Sequence, residues 1–74
     1  MNIPIESIVT GIVWKIERAV GDAIQAGDTL LILESMKMEI PIEAPEAGVV
    51  ESIRVHEGES VNEGQIVASL APRR

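Results

Sequence analysis

Apolar residues at Ile3, Ile5 and Ile8 alternate with other residues and predict a strand over residues 3–9. A second strand is expected over residues 11–17. Continuous apolar runs at Thr29-Leu30-Leu31-Ile32-Leu33 and Ile66-Val67-Ala68-Ser69-Leu70 read as closing strands that lie deep in the fold. Val13 and Ile16 both read as core, yet they are three apart. That spacing breaks period two and predicts a bulge near Trp14 or Lys15. No helix is assigned. Thr29-Leu30-Leu31-Ile32-Leu33 and Ile40-Pro41-Ile42 lie close enough to form a hairpin with Lys37 at its tip. Tight hairpin turns favour Asn, Asp or Gly, because their central residues need positive φ. Ser35 to Met38 contains none of them. A turn that ignores turn chemistry points to a role other than stability.

The chain also matches itself at an offset of 37 residues, without a gap. Met1-Asn2-Ile3-Pro4-Ile5-Glu6 lies over Met38-Glu39-Ile40-Pro41-Ile42-Glu43. Gly11, Gly21 and Gly27 lie over Gly48, Gly58 and Gly64, which are all six glycines. Eleven of the 37 aligned positions are identical. Two units are too few for a solenoid, so halves 1–37 and 38–74 are expected to share one core as a pseudo-two-fold pair. The Lys37 turn would sit near the pseudo-axis at one end. Its repeat mate Arg74 and Met1, the mate of Met38, would meet at the other. Pro4 and Pro41 cannot donate to a ladder and belong at sheet edges. Val20-Gly21-Asp22 to Gly27-Asp28 and its repeat Glu57-Gly58-Glu59 to Gly64-Gln65 each read as two turns around a very short strand, with Ile24 or Val61 inward. Residues 71–74 are expected to fray. The fold class that follows is all-β: a flattened barrel or sandwich of two four-stranded antiparallel sheets.

Composition narrows the function. Seventy-four residues make one small domain with a marginal core. Ile (11) and Val (8) outnumber Leu (4), and Phe and Tyr are absent, which favours strands. Trp14 is the only aromatic residue. Its mate is Glu51, so it is expected to be partly exposed and to cover one side of the sheet. A net charge of −6 argues against nucleic acid or an anionic membrane as partner. With no Cys and one His, there is no disulfide, no Cys-based or multi-histidine metal site, and no triad. No catalytic residue is assigned. The N-terminus lacks the basic stretch and apolar core of a signal peptide, and a cytoplasmic location is expected. The glutamates read as a solvated acidic surface, and His56 as a surface residue. A phosphate cradle is not supported, because no Lys-Ser/Thr and no helix follow the glycines. Met36 and Met38 carry two readings: flexible filler tucked onto the core, or exposed contacts for a partner that closes over the tip.

Glu34-Ser35-Met36-Lys37-Met38 resembles the Met-Lys-Met signature of the biotinyl domains of the biotin carboxyl carrier family. The repeated Gly turns are similar to that family over essentially the whole chain. The likeness is strongest to short stand-alone biotin/lipoyl attachment proteins; lipoyl domains usually carry Asp-Lys-Ala at the tip. Two positions depart from the pattern: Ser35, where Ala is commoner, and Ser7-Ile8-Val9-Thr10, where a Pro-Met-Pro segment is often seen. The gapless repeat leaves no room for the protruding thumb of some acetyl-CoA carboxylase carriers. The resemblance implies covalent biotin on Lys37, attached by a biotin protein ligase that reads Glu34, Ser35, Met36 and Met38. It implies a non-catalytic carrier that shuttles a carboxyl group from a biotin carboxylase to a carboxyltransferase. The parent enzyme would be an acyl-CoA carboxylase, such as the acetyl-CoA carboxylase of fatty acid biosynthesis, or a related carboxylase. Two other readings stay open: a lipoyl carrier of a 2-oxo-acid dehydrogenase system, with lipoate on the same lysine, and an unmodified β interaction module.

Overall fold

The computed structural model describes residues 2–72. Eight strands follow one another: β1 Ile3–Glu6, β2 Gly11–Ile16, β3 Ala23–Ile24, β4 Thr29–Ser35, β5 Met38–Glu43, β6 Gly48–Ile53, β7 Ser60–Val61 and β8 Ile66–Pro72. There is no helix among the described residues. The strands form two antiparallel four-stranded sheets, ordered β1-β8-β6-β3 and β5-β4-β2-β7. A shift of 37 residues turns β1, β8, β6, β3 into β5, β4, β2, β7, so the repeat operator exchanges the two sheets. Each sheet draws two strands from each half. The halves therefore interlock and close one core between them.

Val13, Leu33, Val50 and Leu70 are almost completely buried at the centre of that core, and they are two pairs of repeat mates. The bulge expected near Trp14 is present: Val13 faces Leu33 and Lys15 faces Ile32, with Trp14 the extra residue. The mate of this bulge falls between Val50 and Ser52. The extra residue restores the inward direction at Ile16 and Ile53, which is why core positions three apart share a face. Pro4 and Pro41 lie on β1 and β5, both edge strands. Ile24 and Val61, in the two-residue strands, are buried, each 1% exposed.

The turn at Ala19–Asp22 explains the Gly-acid pairs. Gly21 has a φ of 97°, as the third position of a type II turn requires. Asp22 N–H donates to the Ala19 carbonyl at 3.0 Å, and Ala19 N–H donates back to Asp22 Oδ2 at 2.9 Å. The same reciprocal pair recurs at Gln25–Asp28, His56–Glu59 and Asn62–Gln65. Four turns, each satisfying its own backbone, bring the short strands back to the sheets.

Two expectations are corrected. The first strand ends at Glu6 rather than Val9. Ser7 is buried and its hydroxyl donates to the Val9 carbonyl, a local bond that competes with the ladder. Ile8, three residues after the buried Ile5, falls on the outward side and is 63% exposed. Residues 71 and 72 do not fray, because Ala71 faces Val49 and Pro72 faces Gly48 at the end of β8. The expected fraying of Arg73 and Arg74, and the meeting of Met1 with Arg74, lie outside the described residues. The pair Ile3 with Leu70 does repeat the pair Ile40 with Leu33 on the lysine hairpin.

Candidate functional site

Strands β4 and β5 pair from Thr29–Glu43 up to Ser35–Met38, so Met36 and Lys37 alone make the turn. Both have positive φ, 53° and 65°. Positive φ at both central residues is the type I′ geometry, whose twist matches that of the strands. The left-handed region crowds Cβ against the following carbonyl and costs about 1–2 kcal/mol for an ordinary residue. Here two long side chains occupy it in succession. The sequence departs from turn chemistry where the backbone demands it most.

The side chains at the tip face solvent. Met36 is 92% exposed and Met38 63% exposed, so neither methionine tucks onto the core. The reading of the pair as core filler is thereby overturned. A two-residue turn at the end of a long hairpin has no core within reach. Lys37 is exposed, and among the described residues no carboxylate lies within ion-pair distance of its ammonium. Glu34 and Glu39 are exposed and face each other directly across β4 and β5. Like charges directly opposite destabilise a sheet, so this pair also departs from what stability favours.

Ser35 differs from its neighbours. It is only partly exposed, and its hydroxyl donates to the Thr10 carbonyl at 2.9 Å. Thr10 Oγ1 in turn accepts from Glu63 N–H at 3.0 Å. Beside them, a Cβ on Gly11 would stand 2.5 Å from the Glu34 carbonyl oxygen. Thr10, just before β2, and Gly11, its first residue, thus support the root of the hairpin, a role that sequence reasoning did not assign to them. The available signal was Gly11's match with Gly48, where a Cβ would meet the Ala71 carbonyl oxygen at the same distance. The structure therefore gathers Glu34, Ser35, Met36, Lys37 and Met38 on one hairpin end, with Ser35 turned inward as an anchor.

Other candidates lie apart from the tip. His56 is 93% exposed by side chain and sits 3.5 Å from Glu59. Among the described residues, no three His, Asp or Glu side chains come together as a metal site. No helix there is long and apolar enough to cross a membrane.

Known proteins resemble this chain in sequence and fold. The family model described as biotin-requiring enzyme matches residues 1–70. The biotin/lipoyl attachment protein of Bacillus subtilis is 44% identical over 63 residues, covering 85% of this chain and 86% of that protein. The biotin carboxyl carrier protein of Streptococcus mutans is 41% identical over 61 residues, 82% of this chain and 47% of that protein. The crystal structure of Kluyveromyces lactis urea carboxylase contains a region that superposes with a TM-score of 0.92 at 37% identity. The match covers 96% of this chain and 6% of that one. With its two interlocked sheets and its lysine hairpin, the chain belongs to the biotin/lipoyl attachment domain family, a biotin-requiring family.

Proposed function

We propose that residues 1–74 form one biotinyl-type domain, that Lys37 is the biotinylated residue, and that the protein is a carboxyl carrier rather than an enzyme. The observation that carries this reading is the turn itself: Lys37 stands at positive φ on an exposed two-residue tip between two exposed methionines. Stability favours neither feature, and a ligase that must seize one amine uses both.

The residues fit a covalently held biotin. In its neutral form the Nζ of Lys37 is a nucleophile. It forms one N–C bond to an activated carboxyl carbon, the activating group leaves, and the amine proton goes to solvent. The resulting amide carries no charge at the tip. Biotin held on Lys37 would supply a carrier atom for a carboxyl group, to be loaded at a biotin carboxylase that uses ATP and bicarbonate and unloaded at a carboxyltransferase. The chain's part is mechanical. The interlocked sheets hold the hairpin rigid, Ser35 ties its root to Thr10, and Lys37 projects clear of the body. Met36, Met38 and Glu34 are the contacts a biotin protein ligase would read. Ser35 contributes by holding them in place. The cytoplasm, where such ligases work, is the proposed location, and an acyl-CoA or related carboxylase is the proposed parent enzyme.

Lipoate on the same lysine is the second reading, favoured by the likeness to a protein named for both attachments. Intact mass after co-expression with an active biotin protein ligase, followed by peptide mapping, separates the two. A biotinyl increment on the Lys37 peptide is expected, and Lys37→Arg should abolish it while leaving the fold intact. A lipoyl increment would favour the second reading. The absence of any increment would leave an unmodified interaction module and refute the carrier role.

A further inference from the structure

The repeat makes an internal control available. Each sheet has an outer face built from equivalent positions, so the two faces differ only where their side chains do. On the face of β1-β8-β6-β3 the bulge carries Glu51 and Ser52. Ser52 hydrogen-bonds Ser69 at 2.7 Å, and the Ser69 hydroxyl donates to Glu51 Oε1 at 3.3 Å, a chain of two hydrogen bonds. On the face of β5-β4-β2-β7 the mates of Glu51, Ser52 and Ser69 are Trp14, Lys15 and the half-buried Ile32. Trp14 is 50% exposed, and Ile12, two residues before it, is 47% exposed. At the Glu51 and Ser69 positions one backbone unit thus carries hydrogen-bonded polar side chains on one sheet and apolar ones on the other, while Ile12 and its mate Val49 are apolar on both. Folding does not require the apolar version, because the same fold accepts Glu and Ser at the equivalent sites.

We propose that this outer face, centred on Trp14, Ile12 and Ile32, docks on the biotin carboxylase against an apolar socket rimmed by Lys or Arg side chains. The inference rests on the carrier reading above. Three observations choose the occupant. The patch is continuous with the lysine hairpin, since Ile12 faces Glu34 and Ile32 faces Pro41. Its border is acidic, with exposed Glu34, Glu39 and Glu43 on β4 and β5, and Lys15, the cation within it that faces Ile32, lies 3.8 Å from Glu17. A second copy is disfavoured, because it would set two acidic borders together on chains of net charge −6. Half-exposed Trp14 and Ile12 together offer about 200 Å². A stable complex buries about 800 Å² per partner. So small a patch suits an enzyme that must bind and release the carrier at every turnover. An enzyme that takes ATP and bicarbonate, both anions, has reason to present a cationic mouth.

The test uses the biotinylated protein, with its Lys37 increment verified by mass, as substrate for a biotin carboxylase. Trp14→Glu installs the residue that the repeat mate already carries, and Ile32→Ser does the same at the second site. Both should raise KM for the carrier about tenfold with kcat little changed, and should leave the β circular dichroism of the folded carrier and the enzyme's activity on free biotin as they were. Glu51→Ala, on the opposite face, should change neither constant. KM of the wild-type carrier should also rise with salt. Unchanged KM in a folded Trp14→Glu or Ile32→Ser variant overturns the docking face while leaving the carrier reading intact. Rejection of the biotinylated wild type by the carboxylase overturns the carrier reading, and the docking face falls with it.

Discussion

The strain in the Met36-Lys37 turn can be measured by relieving half of it. Met36→Asn places at the first turn position a residue whose short polar side chain tolerates the left-handed region. The φ of 53° at Met36 costs about 1–2 kcal/mol for an ordinary side chain. Met36 is 92% exposed, so its replacement removes almost no burial that could offset the gain. A net stabilisation of about 1 kcal/mol is expected. For a domain of this size that raises the melting midpoint by about 4–8 °C. Circular dichroism at the β signal, scanned with temperature, reads it directly. Lys37→Arg serves as the control, because Arg suffers the same strain and should leave the midpoint in place. On the carrier reading the stabilised variant should also be biotinylated more slowly, since an exposed ligase contact is gone. A midpoint equal to or below that of the wild type would refute the idea that the turn stores strain. A higher midpoint with an unchanged biotinylation rate would show that Met36 is strained to no purpose the ligase uses.

Three further outcomes follow from the geometry. Gly11→Ala would set a Cβ against the Glu34 carbonyl at 2.5 Å, a backbone atom that cannot swing away; a loss of about 1–3 kcal/mol in denaturant unfolding is expected, with amide shifts spreading to Ser35 in NMR spectra. Leu33→Ala empties a site with 0% exposure at the centre of the core and should cost about 2–5 kcal/mol, comparable with the whole stability of a chain this short; Leu70→Ala should cost a similar amount, because Leu70 is its mate. Glu39→Lys turns the like-charge pair with Glu34 into an attractive one, so the melting midpoint should rise at low salt and the gain should shrink as salt is added.

Much of the fold was legible in the chain because the repeat supplies each position with a second reading. Val13 with Val50 and Ile16 with Ile53 disclosed the bulge. Asp22 and Glu59 marked the turns, although only the structure shows their carboxylates closing them. The misreadings share a cause. The first strand looked as though it ran to Val9 because an apolar pattern cannot register the buried hydroxyl of Ser7 capturing the Val9 carbonyl. Ala71 and Pro72 looked loose because nothing local announces that β6 extends to meet them. The candidate site was legible for the opposite reason: Met36-Lys37 is conspicuous as a turn that lacks turn residues.

The sequence by itself determined the strand content, the two-fold plan, the edge prolines and the lysine tip, since these rest on period, propensity and backbone sterics, which act over a few residues. Only the tertiary structure decided that the halves interlock rather than stack, because pairing β1 with β8 and β4 with β2 is a choice among long-range partners. It also decided the roles of Ser35, Thr10 and Gly11, and which outer face stays apolar. Those properties depend on which backbone lies 3 Å away, and residues far apart in the chain set that distance only once the core has closed.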